Sequence, residues 1–203
     1  MLNNVVKEGN RKGGDPMDLL TDHEGSLALK NARSSIEHAI ADKPEDSLKF
    51  TPVFTEKRGV FVTLTKKGSL RGCIGFPYPV MPLGQAIEQA AVAAAIEDPR
   101  FPPVSKTELS SLEIEVTVLT PPVTISGPPD NRPDHVEVGR HGLIVRGMGT
   151  SGLLLPQVCT EYEWDAKKFL DQTCIKAGLP SHAWHSKNVE VLTFEGQIFH
   201  EPQ

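Results

Sequence analysis

Apolar residues recur along this chain with two different periods, and each period predicts a different kind of element. Spacings of three and four residues predict a helix that begins at the capping box of Thr21 and Glu24 and ends at Pro44. The same spacing predicts a second helix that begins at Pro82 and stops at Asp98, with an alanine-rich face suited to close packing against a sheet. Two amphipathic helices are therefore expected in the first half of the chain.

Alternation of apolar and polar residues predicts strands between and after these helices. The predicted strands cover 60–65, 69–75, 112–119, about 135–138, 142–146, 189–194 and 197–200, with hairpin turns at 66–68 and 195–196. A third helix is predicted from about 165 to 177. Because helices and strands mix and neighbouring strands are joined by hairpins, the predicted fold class is α+β, a mainly antiparallel β-sheet flanked by α-helices.

The amino-acid composition indicates a folded globular protein without a membrane-spanning helix. The chain has 203 residues, of which 38% are hydrophobic and 23% are charged, as in a folded globular protein. No apolar run approaches the ~18 residues of a spanning helix, so no membrane contact is expected, and residues 1–16 lack the apolar core of a secretory signal. We expect residues 1–16 to be a disordered tail and 17–203 to form a single domain.

Charge and cysteine content point to the reducing cytoplasm. The chain has 21 Lys and Arg against 26 Asp and Glu, and its net charge of −5 argues against a general nucleic-acid binder. An odd number of cysteines, Cys73, Cys159 and Cys174, argues against a disulfide scaffold. Cys159 and Cys174 also lack the paired spacing of a zinc or iron–sulfur site.

Residues 70–75 form the most specific motif of the chain, L-R-G-C-I-G. This segment resembles the signature of the AMMECR domain family. Later segments resemble the same family in the same order, at 142–145, 152–158, 164–165, 169–170 and 173–179. The resemblance covers about residues 20–200, and it identifies the chain as a candidate member of that family.

The resemblance implies a two-lobed domain, made of two subdomains with a cleft near 70–75. It implies no settled catalytic activity. No cofactor and no metal are predicted for the chain. In some microbes such domains are associated with a Memo-like protein and a radical S-adenosylmethionine enzyme, which suggests a shared modification pathway. The partner is expected to be a small molecule or a protein, and these two proteins are the named possibilities.

The chemistry of the motif is expected to centre on Cys73 and Arg71. If the strand is regular, the two side chains share a face, where the guanidinium would stabilise a thiolate. Gly72 and Gly75 would let another backbone or a ligand approach closely. The predicted catalytic residues are thus Cys73 and Arg71. The predicted ligand or partner surface comprises Leu70, Arg71, Gly72, Cys73, Ile74, Gly75 and Gln157.

A structural interpretation of the same residues stays open. Free cysteines are usually buried, and Arg71 would then pair with Glu113 or Glu115 on a neighbouring strand. A nucleophilic Cys73 also needs a base, and no histidine is near it in sequence. The fold would have to bring one close, and the histidines considered are His23, His141 and His182.

Two functions compete on this basis. In the first, the protein is an enzyme or enzyme component that binds an anionic or polar substrate beside Cys73. In the second, it is a non-catalytic adaptor that docks a protein partner through the basic hairpin at 57–75. From 55 to 75 the chain carries five basic residues against one acidic residue, a net charge of +4 on an otherwise acidic protein.

Three further features have simpler structural explanations. Residues 147–152 match G-x-G-x-x-G, but the extended sequence after them favours a hairpin loop over a dinucleotide site. His182 and His185 are three residues apart, yet no third metal ligand is indicated. Gln157 is more typical of a buried amide that holds a loop than of a catalytic amide.

Overall fold

The computed structural model describes residues 19–44 and 46–201, so the predicted tail at 1–16 lies outside the described residues. The helices are α1 (Asp22–Ala41), α2 (Leu83–Ile96), α3 (Pro156–Glu161) and α4 (Ala166–Lys176). The strands are β1 (Val60–Lys66), β2 (Ser69–Phe76), β3 (Leu112–Leu119), β4 (Val123–Thr124), β5 (His141–Gly147), β6 (Thr150–Leu154) and β7 (Glu190–His200). Short 3₁₀ helices lie at Pro52–Thr55, Lys106–Ser111, Pro129–His135 and Ala183–His185.

The predicted α+β class is confirmed, and local signals set the ends of the main helices. Thr21 and Glu24 form the predicted capping box, with the Thr21 hydroxyl accepting the Glu24 N–H at the start of α1. Pro82 precedes α2, and the side chain of Asp165 accepts the N–H of Lys168 at the start of α4. Among the described residues, no helix combines the length and the apolar character needed to cross a membrane.

The strands form one curled sheet in the order β2-β1-β3-β7-β5-β6, and every pairing is antiparallel. Strand β7 joins its two halves, because residues 196–200 pair with β3 and residues 190–195 pair with β5. The predicted hairpin turn at 195–196 is wrong. Gly196 instead pairs with Leu119, so the chain stays extended because a neighbouring strand continues the hydrogen-bond ladder there.

All the long helices cover one face of this sheet, which we call the outer face. On β1 the outer row is Val60, Val62 and Leu64, all fully buried under α1 and α2. On β5 it is Leu143 and Val145, buried under α4. The alternate residues of each strand lie on the opposite face, which we call the inner face.

The inner face curls on itself, because residues from both edges of the sheet contact one cluster. Four buried residues, Leu119, Ile144, Leu192 and Phe194, form its centre. Phe61 and Tyr78 pack on it from the β1–β2 side, and Leu153 and Leu155 from the β6 side. The Tyr78 hydroxyl, just beyond β2, lies 3.2 Å from the Ser151 hydroxyl on β6. The two edges of the sheet therefore meet just beyond the end of β2, through side chains rather than through a strand pairing.

The region 125–140 differs from the prediction. The strand expected at about 135–138 is absent, and the 3₁₀ helix Pro129–His135 leads into a turn at 138–140. The buried guanidinium of Arg132 explains this conformation, because it donates hydrogen bonds to the carbonyls of Trp184 and Val189. The chain there is held by side-chain hydrogen bonds, with Arg132 buried among them, rather than by a strand ladder.

Replacement of Gly72 tests the packing of the sheet against α2. A Cβ atom at this position would lie 2.1 Å from the carbonyl oxygen of Ala94, so Gly72→Ala requires a backbone shift. We expect a loss of about 2 kcal/mol or more in the free energy of unfolding, measured by urea denaturation. Gly84→Ala is the matched control, because its nearest neighbour would be 3.6 Å away. That variant should change stability by less than about 1 kcal/mol, and equal effects would contradict the packing argument.

Candidate functional site

Strand β2 carries the L-R-G-C-I-G segment and is irregular in the middle of it. Gly72 pairs with Leu64 on β1, whereas Leu70 pairs with the next residue, Thr65. Arg71 is therefore the extra residue of a β-bulge, and the regular alternation of faces is interrupted there.

The Arg71 side chain is held by Glu108, in the 3₁₀ helix before β3. Its Nε lies 3.1 Å and its Nη2 3.3 Å from the two carboxylate oxygens. Lys66 donates to the same carboxylate at 2.9 Å. The partners predicted for Arg71, Glu113 and Glu115, are thus wrong, because the bulge turns the guanidinium toward another element.

The expectation that Arg71 and Cys73 share a face is also wrong. Lys66 belongs to the outer row of β1, and Arg71 reaches the carboxylate that Lys66 binds. Cys73 pairs with Thr63 and lies with it on the inner face. The guanidinium of Arg71 is therefore neutralised by Glu108 and is not placed to bind an anion beside the thiol.

Cys73 is half-buried on the inner face. The Thr63 hydroxyl lies 3.4 Å from its sulfur and is placed to donate to it. The two residues form a non-hydrogen-bonded cross-strand pair, in which side chains come closest, because the Cys73 backbone bonds outward instead. Cys73 is thus a partly exposed residue whose sulfur has a fixed hydroxyl neighbour.

The Cys73 backbone is clamped from outside the sheet by two side chains that follow α2. Its N–H donates to Asp98 at 2.8 Å, and its carbonyl accepts from Arg100 Nη2 at 3.2 Å. Asp98 and Arg100 also bind each other, with Nη2 2.7 Å from the carboxylate. One acceptor and one donor thus replace a neighbouring strand at this edge, which protects it from pairing with other chains.

Asp98 is buried, yet it is stabilised as an anion. The hydrogen bond from the Arg100 side chain and the N–H of Cys73 hold the pKa of this carboxyl well below its usual range, against the opposing effect of burial. The pKa of Arg100 is raised by the same pairing. From the sequence, Asp98 was only a helix stop, and nothing local signals its bond to a residue 25 positions earlier.

A row of polar side chains crosses the inner face from Cys73. Cys73 pairs with Thr63, Thr63 with Glu115, and Glu115 with His200, on four adjacent strands. His200 Nδ1 lies 3.5 Å from a Glu115 oxygen, and the imidazole is exposed. Cross-strand neighbours are ~5 Å apart, so a substrate lying across the strands can contact several of these groups.

The histidines considered from the sequence lie elsewhere. His141 accepts the N–H of Glu137 and lies 3.8 Å from Glu195. His23 is in the first turn of α1, and His182 precedes the 3₁₀ helix Ala183–His185. Within 19–44 and 46–201, no histidine hydrogen-bonds to Cys73. The histidine that shares its cross-strand row, His200, was missed because only the β7 register reveals it.

The remaining residues of the motif have structural roles. Gly72 allows α2 to approach, and Gly75 allows the Phe61 ring to lie over β2, since a Cβ at Gly75 would be 2.4 Å from that ring. The predicted close approach at both glycines is therefore confirmed. Ile74 packs against the core, whereas Leu70 is 43% exposed.

The structure also shows where Gln157, the loop at 147–152 and His185 lie. Gln157 is exposed on α3, so the expected buried amide is wrong, and its side chain remains a surface group. Residues 147–152 form the predicted hairpin loop, with β5 and β6 joined through Met148 and Gly149 at φ of 51° and 79°. His185 stacks on Trp184 and lies 2.6 Å from Asp130.

The described residues hold neither a metal-ligand cluster nor a disulfide. No group of three or more metal-ligating side chains lies together within 19–44 and 46–201. All three cysteines are free thiols. Cys159 and Cys174 are fully buried, and burial raises the pKa of the Cys174 thiol.

The basic hairpin is partly neutralised by two carboxylates, those of Glu56 and Glu108. Arg58 is buried and lies 2.8 Å from Glu56, while Lys66 and Arg71 bind Glu108. Lys57 and Lys67 stay exposed, and no ion pair involves either of them in the described part of the chain. Because Glu56 is already counted in the net charge of +4, Glu108 is the one further carboxylate in these ion pairs, and the hairpin with Glu108 keeps a net charge of +3.

Comparisons with known proteins agree with this fold. A family model described as AMMECR1 matches residues 29–199. A protein of Methanosarcina acetivorans is 54% identical over 190 residues, which are 91% of this chain and 95% of that protein. A protein of Thermococcus gammatolerans is 48% identical over 90% of this chain and 92% of its own length.

A solved structure shows the same architecture. The crystal structure of an uncharacterised protein from Pyrococcus horikoshii superposes with a TM-score of 0.72 at 46% identity, covering 90% of this chain and 93% of that one. The sheet and helices thus define an α+β fold shared with these archaeal proteins. The chain belongs to the AMMECR1 family, as the resemblance indicated.

Loss of the Glu108 carboxylate should make the free energy of unfolding less dependent on pH in the acid range. Hydrogen bonds from Arg71, from the Ser105 N–H and from Lys66 hold the pKa of Glu108 well below its ordinary value of 4.5. A lowered folded-state pKa adds stability that is present above the unfolded pKa and is lost as pH falls through the folded one. We expect Glu108→Gln to lose about 2 kcal/mol at pH 7, measured by urea denaturation.

The difference from the unmodified protein should shrink below about pH 4, where the unfolded carboxylate protonates. Glu88→Gln removes an exposed carboxylate of α2 and serves as the control. It should change stability by no more than about 0.5 kcal/mol. A deficit of Glu108→Gln that stays constant between about pH 7 and pH 3 would contradict this ion cluster.

Proposed function

We propose that this protein is a thiol-dependent component of a modification pathway, with Cys73 as its reacting group. The observation that carries the proposal is the exposure of the three cysteines. Cys159 and Cys174 are fully buried, whereas Cys73 is half-buried and therefore partly exposed on a polar sheet face. A reacting thiol must be reached by its substrate, and of these three only Cys73 meets that condition.

The surroundings of Cys73 suit a nucleophile or a group acceptor. Asp98 and Arg100 fix its peptide from outside, so the position of the sulfur depends mainly on one rotamer. The Thr63 hydroxyl is placed to donate a hydrogen bond to the sulfur. In the reaction the sulfur would displace a leaving group from an electrophilic carbon of the substrate. The S–C bond forms as the bond from that carbon to the leaving group breaks, the leaving group keeps the electron pair, and the thiol proton passes through solvent to it.

Glu115 and His200 are the ionisable groups of the row that begins at Cys73. The imidazole is exposed and lies close to the carboxylate, which orients it. We assign these two residues to binding and protonating the substrate rather than to contacting the thiol, since they lie two and three strands away. The predicted catalytic role of Arg71 is not retained, because Glu108 neutralises its guanidinium.

The family resemblance supplies the pathway in this proposal. It implies an association with a Memo-like protein and a radical S-adenosylmethionine enzyme, which would supply or use the group carried by Cys73. We place the protein in the reducing cytoplasm, which its three free thiols support. Docking through the basic hairpin is not favoured, since three of its five basic residues are paired with carboxylates.

Alkylation of the folded protein tests the proposal. We expect iodoacetamide to modify Cys73 at least about tenfold faster than Cys159 or Cys174 at pH 7, because the buried thiols react only when the fold opens. Peptide mass spectrometry gives the three rates in one sample. Thr63→Val keeps the shape beside the sulfur but removes the hydroxyl, so it should change the rate at Cys73 alone. A Cys73 as inert as the other two would contradict the proposal.

Binding of the Memo-like protein and the radical S-adenosylmethionine enzyme distinguishes the thiol-dependent function from the adaptor hypothesis. If Cys73 reacts, Cys73→Ser should abolish transfer in a reconstituted reaction, while reversing the exposed hairpin charges with Lys57→Glu and Lys67→Glu should have little effect. A docking hairpin predicts the reverse: the charge reversal removes partner capture and Cys73→Ser is tolerated. Co-purification and transfer are measured side by side on each variant.

A further inference from the structure

We propose that the cavity between the two meeting edges of the sheet binds a small apolar molecule that carries an anionic group, with Lys176 as the recognising cation. The cavity has a volume of about 350 Å³ and lies where β2 ends and β6 begins. That volume falls within the range of small-molecule sites in proteins. The inference goes beyond the proposed function, because it concerns a separate site that Cys73 does not line and does not depend on whether Cys73 reacts.

One wall of the cavity depends on the last glycine of the L-R-G-C-I-G segment. The Phe61 ring lies over Gly75, where any side chain would collide with it. Phe61 and Pro77 therefore line the cavity from the β1–β2 side. The opposite wall comprises Leu153, Leu155 and Val158. Both walls are apolar, so the body of the ligand should be apolar or aromatic.

Two hydroxyl groups connect the walls. Tyr78 and Ser151 both line the cavity, and their oxygen atoms are 3.2 Å apart. Each hydroxyl can donate to a ligand and accept from it, so the pair offers polar contacts beside the apolar walls. These contacts suit the polar end of a ligand whose other end is apolar.

A second glycine, Gly152, allows the helix that carries Lys176 to pack beside the cavity. Gly152 of β6 packs directly against the end of α4, where an added Cβ would lie 2.3 Å from the Ala177 nitrogen. This close packing places Lys176, in the last turn of α4, at the cavity. No ion pair involves Lys176 in the described part of the chain, and none of the residues that line this cavity is acidic.

An apolar cavity with two hydroxyls and one unneutralised cation selects for an anion. A carboxylate or phosphate on an apolar body would satisfy the ammonium and the hydroxyls, whereas a cationic ligand would meet like charge. The sequence suggested Arg71 for this role. The structure pairs Arg71 with Glu108, whereas Lys176 lines a cavity that has no acidic residue in its walls.

Binding of a matched pair of probes tests the inference. Naphthoate carries an aromatic body and a carboxylate, and naphthylmethanol has the same body without the charge. We expect naphthoate to shift the amide resonances of residues 151–155 in NMR titrations and to bind roughly tenfold more tightly than the alcohol, as one charge-assisted contact allows. Lys176→Gln should reduce that ratio to about twofold or less.

A second lysine of α4, Lys167, provides the control for this experiment. Lys167→Gln removes another exposed lysine of α4 that does not line the cavity, and it should leave the ratio unchanged. The inference is overturned if both probes bind equally, if Lys176→Gln leaves the ratio intact, or if neither probe shifts residues 151–155 in a saturable way. Alkylation of Cys73 is measured separately, so failure of this site and failure of the reactive thiol are distinguishable.

Discussion

The hydrogen-bond ladder of β7 is the constraint on which the rest of the structure depends. This strand pairs with β5 over residues 190–195 and with β3 over 196–200, so one extended segment holds two groups of strands in a single sheet. Each backbone N–H and C=O group of a buried strand needs a hydrogen-bond partner. Strand β7 supplies such partners to β5 before residue 196 and to β3 from residue 196 onward. A turn at 195–196 would have separated the two halves.

Continuity of β7 has consequences far from it. Because the sheet curls about this strand, its edges β2 and β6 meet, and Tyr78 reaches Ser151 across 73 positions of sequence. The inner face is thereby divided into an apolar cluster around Phe194 and a polar part that holds Cys73, Thr63 and Glu115. The partly exposed Cys73 and the cavity at Lys176 are both products of this curl. The long helices cover the outer face and leave the inner face around Cys73 uncovered, whereas α3 and the end of α4 contribute Val158 and Lys176 to the cavity.

The sequence predicts the helix caps, hairpins and strands that depend on residues close together in the chain. The capping box at Thr21 and Glu24, the hairpin of β1 and β2, and strand β3 are all found where the pattern places them. Burial alternates along β3 only as far as residue 116, because Thr117 and Leu119 are also buried. Family membership was also recoverable, because the residues at 70–75 are specific. By contrast, the bulge at Arg71 carries no sequence signal, and it turns the guanidinium away from the thiol. The clamp of Asp98 on Cys73 and the row that reaches His200 depend on tertiary register, which periodicity does not contain.

The central claim is that Cys73 carries a group during the protein's reaction. The most direct measurement is the mass of the Cys73 peptide from protein isolated from its own cells and quenched in acid, which preserves thiol adducts. The account predicts a substrate-derived mass on a fraction of Cys73 and unmodified Cys159 and Cys174. An unmodified Cys73 peptide in every preparation, including cells in which the associated enzymes are overproduced, would contradict it.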